Sequence, residues 1–328
     1  MSGCKEDEKV EPEVEIFVEE TRLSGRERIV LNCKGDEDKL VTKGIGRRDY
    51  FYGNGEHQRF STSVTDFSIL HKPPIYKEFG VELYGHSIHL YVESGTQVDY
   101  IDITELDSTF SQLIFVRNWV NECILFTGND EMWVAYESIS QGIKRTKFLI
   151  VNVALIGNYN YTIVDPSEDI MSISSWYLLN NELYVSNGGS AYKISKDGNT
   201  TEIIRSGIFR MFELDNILWA ISYGDWIYYS ADGGETWELF SEGIESLSLF
   251  CLENIDGRVI GYWRGGLIEF SSEIAGDGST TLSIRTINTD GMGNAEITSL
   301  AKFNGRYYIG TYNGLFSKSE ENFFSYVE

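Results

Sequence analysis

A unit of about 40 residues recurs along this chain and constrains its fold more than any other feature. The copy at Phe209–Phe240 is the clearest. Its runs FRMFEL, ILWAIS, WIYYS and TWELF are separated by Asp215-Asn216, by Tyr223-Gly224-Asp225 and by Ala231-Asp232-Gly233-Gly234-Glu235. Short runs rich in β-branched and aromatic residues, bounded by Asn, Asp and Gly, read as strands. Asp-Asn or Asn-Gly between two such runs is the chemistry of a two-residue hairpin turn, where φ is positive. Each copy is therefore a four-stranded antiparallel meander.

The plan returns over residues 298–328 (SLAKF, Asn304-Gly305, RYYIGT, Tyr312-Asn313-Gly314, LFSKS, FFSYV). It returns over Ser174–Arg205, with turns at Asn180-Asn181, Asn187-Gly188-Gly189-Ser190 and Asp197-Gly198. Ser246–Ile287 fits through Asp256-Gly257, Arg264-Gly265-Gly266 and a longer turn around Gly276-Asp277-Gly278. Upstream the signal is weaker. Glu122–Val164 pairs CILF with MWVAY across Gly128-Asn129-Asp130, Phe79–Phe115 pairs VELY with IHLYV across Gly85-His86-Ser87, and Arg28–Ser63 pairs RIVLNC with KLVT across Gly35-Asp36. Seven units thus begin near 28, 79, 122, 174, 209, 246 and 298. No helical periodicity of useful length competes. A lone four-stranded sheet cannot bury both faces, so seven of them predict an all-β, seven-bladed β-propeller over residues 21–328; a pair of stacked β-sandwiches is the rival. Ring closure has two solutions: FFSYV completes its own blade, or VEIFV at 14–18 adds a strand across the seam.

Residues 1–20 differ in kind, with eight acidic residues against Lys5 and Lys9, and read as a flexible solvated tether. Within it, Ser2-Gly3-Cys4 resembles the end of a bacterial lipoprotein signal, where small residues precede the Cys that receives lipid. That resemblance implies a signal peptide removed ahead of a lipidated Cys4, with Met1 a replacement, and an outer-membrane lipoprotein, surface-exposed or periplasmic. The plain alternative is a chance SGC. The acidic run Lys5-Glu6-Asp7-Glu8 is similar to the export tethers of surface lipoproteins.

Fifty Asp and Glu against 27 Lys and Arg give a net charge of −23. Such a chain has no cationic surplus with which to bind nucleic acid or an anionic membrane surface, so any membrane contact is expected through the lipid alone. No run of about 18 apolar residues predicts a transmembrane helix. Cys33, Cys123 and Cys251 are odd in number and lack CxxC spacing, which argues against a disulfide framework or a zinc site.

One motif is sequence-specific. Ser230-Ala231-Asp232-Gly233-Gly234-Glu235-Thr236-Trp237 matches S-x-D-x-G-x-T-W, with Ser230, Asp232, Gly234, Thr236 and Trp237 at its defined positions. On this motif the chain resembles the Asp-box (BNR-repeat) β-propeller superfamily, which includes sialidase-like, sortilin-like and photosystem II assembly-factor-like members. The specific match spans eight residues; Phe316-Ser317-Lys318-Ser319 and Ser195-Lys196-Asp197-Gly198 look like decayed copies. The resemblance implies that the box is a structural turn, remote from the ligand. Sialidase-like members carry an early Arg-Ile-Pro and an arginine triad. Here Arg28-Ile29-Val30 lacks the Pro, and nothing marks three of Arg117, Arg210, Arg264 and Arg285 as a triad. With 50 acids present, sequence cannot nominate a carboxylate pair for glycoside hydrolysis. His57, His71, His86 and His89 form no metal-ligand pattern, and Gly44-Ile45-Gly46 and Gly291-Met292-Gly293 precede no helix that would cradle phosphate. No cofactor or metal is expected.

If the Asp box and the first turns share one face, the second turns and the blade-to-blade loops share the other. Aromatic residues open four second turns: Tyr136, Tyr223, Trp263 and Tyr312. Asp225, Arg264 and Asn313 lie beside them, Asn187 holds the corresponding place in a fifth unit, and Arg117, Trp119 and Asp290 come from loops. Flat aromatics beside Arg, Asn and Asp suit sugars or peptides. The sequence therefore points to a monomeric, non-catalytic propeller that recognises an extracellular or periplasmic protein or a glycan. An extracellular glycoside hydrolase and an assembly or scaffold factor for a membrane complex are the alternatives.

Overall fold

The computed structural model describes residues 15–23, 29–30, 32–35, 39–44, 47–61, 75–76, 79–84, 86–91, 97–114, 124–126, 131–152, 160–168, 170, 173–241, 247–274 and 279–327. The turn residues adopt the backbone that their chemistry allows. Asn180-Asn181, Asp215-Asn216, Asp256-Gly257 and Asn304-Gly305 all have φ between 48° and 76°. Two successive positive φ values match the right-handed twist of the flanking strands, so each pair closes a tight antiparallel hairpin.

Strand β1 (Val18–Glu19) precedes seven units. The first holds β2 (Asn32–Gly35), β3 (Lys39–Gly44), β4 (Arg47–Tyr52) and β5 (His57–Ser61). The second holds β6 (Ile75–Tyr76), β7 (Phe79–Tyr84), β8 (Ser87–Tyr91) and β9 (Gln97–Asp102), followed by α1 (Ile103–Leu106). The third holds β10 (Phe110–Leu113), β11 (Ile124–Phe126), β12 (Glu131–Ser140), β13 (Ile143–Asn152) and β14 (Tyr161–Val164). The fourth holds β15 (Ser175–Leu179), β16 (Glu182–Ser186), β17 (Ala191–Ile194) and β18 (Thr200–Ile204). The fifth holds β19 (Ile208–Leu214), β20 (Ile217–Ser222), β21 (Ile227–Ser230) and β22 (Glu238–Ser241). The sixth holds β23 (Cys251–Ile255), β24 (Arg258–Trp263), β25 (Gly266–Ile274) and β26 (Thr280–Ile287). The seventh holds β27 (Ile297–Phe303), β28 (Arg306–Thr311) and β29 (Gly314–Ser319), after which comes α2 (Glu320–Phe323). Each unit is its own antiparallel sheet. First strands of neighbouring units touch, β15 with β19, β19 with β23, β23 with β27 and β27 with β2, so these line the axis and each blade runs outward. The protein is a seven-bladed propeller.

The core lies between blades. Along β20, buried at every position, Trp219 and Ile221 pack toward Val259, Ile268 and Phe270 of blade 6. Leu218 and Ala220 face the other way, toward Tyr184, Ala191 and Ile204 of blade 4. Both faces of a blade are covered, which is why ILWAIS is apolar throughout rather than alternating. The Cys33 and Cys251 side chains are buried.

Two unit boundaries differ from the sequence reading. Blade 2 starts at Ile75, making VELY its second strand. Blade 3 starts at Phe110, because β10 and β11 both pair with β12 as two pieces of one inner strand.

The seam closes through the N-terminal segment. Strand β1 pairs antiparallel with β29, Val18 opposite Ser317 and Glu19 opposite Phe316. FFSYV does not complete its own blade. It turns through α2, and Tyr326 bridges to Ile287 while the Val327 N–H donates to the Thr286 carbonyl at 3.0 Å, capping the outer strand of blade 6. Residues 15–20, inside the stretch read as tether, thus belong to the folded unit; the residues before Glu15 lie outside those described.

Glu15 holds this closure electrostatically. Its carboxylate accepts from the Ser319 hydroxyl, from Arg306 Nη2 at 2.9 Å and from Asn322 Nδ2 at 3.3 Å. The Ser319 hydrogen bond, ahead of the Arg306 contacts, draws its pKa down from 4.5 to about 2. A carboxyl with a depressed folded pKa stabilises above its unfolded value and loses that contribution as pH falls through the folded one. The thermal midpoint is therefore expected to fall between pH 4.5 and about 2 with a component that Glu15→Gln removes; an unchanged pH profile in that variant would refute the role.

Candidate functional site

Chain direction alternates along each blade, so first and third turns share one face, here called lower. Second turns and blade-to-blade loops share the upper face. The Ser230–Trp237 turn joins β21 to β22, which places it on the lower face. Asp232 accepts from the Glu235 N–H at 3.1 Å, from the Thr236 N–H at 2.9 Å, and from the Ser230 and Thr236 hydroxyls. Those bonds, from Thr236 above all, hold its carboxyl well below the usual carboxylate range. Gly234 has φ +89° and lies so close to the Tyr184 hydroxyl of blade 4 that a Cβ would sit 2.4 Å from it. Trp237 donates Nε1–H to the Gly234 carbonyl at 3.2 Å and meets the Tyr184 ring edge-on. The Asp232 carboxylate and the Ser230 and Thr236 hydroxyls are spent within the turn, while the Gly233 carbonyl and the Glu235 carboxylate accept from Tyr184 and Lys193 of blade 4. Asp197 repeats a reduced version between β17 and β18, accepting from Ser195 Oγ.

The upper face is built from adjacent turns tied together by the backbone. The Tyr223 N–H donates to the Gly207 carbonyl at 3.1 Å, and a Cβ on Gly207 would sit 2.3 Å from the Gly188 carbonyl, so one loop links the second turns of blades 4 and 5. The loop before β27 does the same for blades 6 and 7: the Ile297 N–H donates to the Arg264 carbonyl at 2.6 Å, and the Tyr312 N–H to the Glu296 carbonyl at 3.3 Å. The Val30 N–H extends the chain of contacts to Thr311 in the first blade's approach. Side chains on these turns are held in place before any partner arrives.

Of the residues singled out from sequence, the structure brings together Tyr223, Asp225, Trp263, Arg264, Tyr312 and Asn313 on the successive blades 5, 6 and 7. Tyr223 is 44% exposed and Tyr312 39%. Trp263 is half-buried: Phe250 tilts against it at 6.2 Å, and the Arg264 guanidinium lies over its ring at 4.4 Å. Trp226, also 44% exposed, closes the Tyr223 turn and belongs to the same surface. Sequence reading had counted it as strand within WIYYS.

Two assignments change. Tyr136 is not on a turn. It sits mid-strand in β12, fully buried, and donates its hydroxyl to Asp107 at 2.8 Å. The strand runs four residues further, to a turn at Gln141-Gly142, lifting a long hairpin above the face. Burial would raise the Asp107 carboxyl, but bonds from Thr109, Lys147 and Tyr136 outweigh it and hold it low; burial and Asp107 together push the Tyr136 phenol up. Asn187 uses its side-chain oxygen within its own turn, accepting from the Gly189 and Ser190 N–H groups at 3.1 and 3.0 Å. Arg117 and Trp119 lie outside the described residues, as do Cys4 and Cys123. Among the described residues, no group of three His, Cys, Asp or Glu is placed to hold a metal ion.

No family model matches the sequence, and no curated protein matches it. Solved structures match in fold. The WD40 β-propeller domain of Doa1 is 12% identical with a TM-score of 0.51, over 95% of this chain and 98% of that one. A chain of the mitotic checkpoint complex is 8% identical with a TM-score of 0.54, over 97% and 96%. PorZ of Porphyromonas gingivalis, described as an essential bacterial surface component of the type-IX secretion system, is 12% identical with a TM-score of 0.53; the match covers 95% of this chain but 39% of PorZ. The likeness is one of architecture.

Proposed function

We propose that this protein is a non-catalytic binding propeller of the Asp-box type that recognises a protein partner through the upper face of blades 5 to 7. The observation that carries this reading is the set of exposed rings Tyr223, Trp226 and Tyr312 on turns that are each pinned by a backbone hydrogen bond to the adjoining blade-to-blade loop. Large, rigid aromatics on a preorganised surface contribute contact area at little entropic cost. A protein suits the face better than a glycan at Trp263, because Arg264 occupies the ring face on which a sugar would stack. Trp226 and Tyr223, side by side at one turn, favour a glycan as the second reading. On the same proposal the protein is a monomer carried in the cell envelope as an outer-membrane lipoprotein, with Cys4 as lipid acceptor.

Trp226→Ala and Tyr312→Ala are each expected to weaken partner binding by about 1–3 kcal/mol while changing stability by less than about 1 kcal/mol, since both rings are well exposed. Titration calorimetry against the captured partner, with urea denaturation alongside, reads both effects. Unchanged affinity in the double variant would remove this face from consideration. Selective retention on a glycan array, lost in the same variant, would transfer the site to the second reading.

A further inference from the structure

Arg210, on the inner strand β19, is 5% exposed and has no carboxylate partner among the described residues, in a chain with nearly two acids for every base. Most other buried charges are matched, Lys318, whose Nζ donates to the Ser325 hydroxyl, being the exception. Asp107 has Lys147, Glu269 has Arg258 and Arg285, and Asp49 has Arg59. The Arg210 guanidinium instead donates from Nε to the Phe250 carbonyl at 2.6 Å and from Nη1 to the Phe209 carbonyl at 3.0 Å, and it lies over the Phe209 ring at 4.2 Å. Its Nη2 is buried and makes no hydrogen bond to the described residues, although the Tyr177 hydroxyl lies close enough to feel the guanidinium charge. Tyr177 flanks the group from blade 4, its own hydroxyl donating to the Phe209 carbonyl. An uncompensated buried cation with a whole amino group unsatisfied is destabilising, so the fold retains it at a cost.

The surroundings say what it is kept for. A register shift in β19 between Ile208 and Arg210 sets Arg210 on the same side of the sheet as Phe212, toward blade 6. Phe250, whose carbonyl takes the Arg210 Nε–H, tilts its ring against Trp263 of blade 6, and Arg264 lies over Trp263. Arg264 itself has φ +53°, a conformation that Gly, Asn or Asp adopts more easily, and the other positive-φ residues of the described second turns are Gln141, Gly142, Gly188, Asp225 and Gly314. An arginine held there in spite of its backbone points to use of its side chain.

We propose that the upper mouth between blades 5 and 6 is a carboxylate-binding pocket that takes one Asp or Glu side chain of the protein partner, with Arg210 as the buried anchor and Arg264 as the outer cation. This rests on the upper face being the recognition surface. A carboxylate at Nη2 forms the charge-assisted, planar pairing that the guanidinium now lacks. Entry requires a surface side chain to move aside, and Tyr223, which meets Phe209 edge-on at 5.2 Å and is otherwise turned to solvent, is the one that does so. The net charge of −23 around so small a cationic site repels polyacidic ligands, so the pocket selects a single carboxylate presented on a neutral or basic segment.

The test uses N-acetylglutamate methylamide, its glutamine counterpart and galacturonate as probes of the whole protein, followed by NMR titration. The glutamate probe is expected to bind saturably and the glutamine probe not to bind. Arg210→Met should weaken binding about tenfold or more, and Arg210→Lys, which keeps a charge but loses the planar fork, by a smaller factor. The thermal midpoint of Arg210→Met should be unchanged or higher, because a buried unpaired charge has been removed. Equal binding of the glutamate and glutamine probes overturns the proposal, as does undiminished binding in both Arg210 variants. If Arg210→Met fails to fold, Arg210→Lys decides alone, with wild-type affinity overturning the pocket. Binding of galacturonate without the glutamate probe overturns the protein side chain as occupant. Partner binding lost in Tyr312→Ala but retained in Arg210→Met defeats the pocket and leaves the face intact, whereas saturable glutamate binding with no effect of Tyr312→Ala on the partner does the reverse.

Discussion

Phe17→Ala is expected to lower stability by about 3–5 kcal/mol, although Phe17 lies in a segment that composition marks as solvated. Ile16 and Val18 are 52% and 53% exposed, whereas Phe17 between them is 2% exposed. That alternation is the signature of a strand lying on a core. The Phe17 ring meets Phe323 edge-on at 5.9 Å, and Lys318 Nζ lies 5.2 Å from its centroid. Its N–H donates to the Asp290 carbonyl at 2.8 Å, and its carbonyl would lie 2.2 Å from a Cβ on Gly291, so no side chain could be added there. One residue therefore joins the closing strand, the loop between blades 6 and 7 and the C-terminal turn. Removing its ring leaves a cavity at the point where the circle is closed, while Val18→Ala should cost less than about 0.5 kcal/mol. Urea denaturation of the two variants separates the cases. Equal, small losses would mean that the ring closes without the N-terminal segment.

The second large effect belongs to the contact between blades 5 and 6. Trp219 is fully buried, stacked with Phe212 at 6.5 Å and met edge-on by Phe240 at 5.2 Å, with Tyr229 tilted at 5.7 Å. Trp219→Ala is expected to cost about 3–5 kcal/mol. Trp219→Phe should cost less than about 2 kcal/mol, because the indole N–H it removes is buried without an acceptor and contributes nothing favourable. Denaturation followed by far-UV circular dichroism compares them. Equal losses in both variants would show that the indole nitrogen has a partner, contrary to the geometry described.

Blade number and strand pairing were legible because their determinants are local. Asp215-Asn216 or Asn304-Gly305 between apolar runs fixes a hairpin with no help from the rest of the chain. Closure was not, because it depends on contacts between residues 15–19 and 290–327, and sequence alone does not weigh a single buried Phe17 against eight nearby acids. The Tyr136 misplacement has a similar cause. The strand continues through the polar Glu137 and Ser138, so the turn was read four residues early, and only the register with β13 reveals the longer hairpin. Four aromatic and cationic members of the upper face, Tyr223, Trp263, Arg264 and Tyr312, could be named from turn position. Arg210 could not be singled out from the other arginines, because what distinguishes it is the lack of a carboxylate partner among the described residues, a property of packing alone.

The central claim, that the upper face of blades 5 to 7 is the recognition surface, is tested most directly by photo-cross-linking. A benzophenone amino acid is placed at Tyr312, at Trp226 and, as the lower-face control, at Asn304. One partner adduct of the same mass is expected from Tyr312 and Trp226 and none from Asn304. An adduct from Asn304, or none from either upper position, would contradict it.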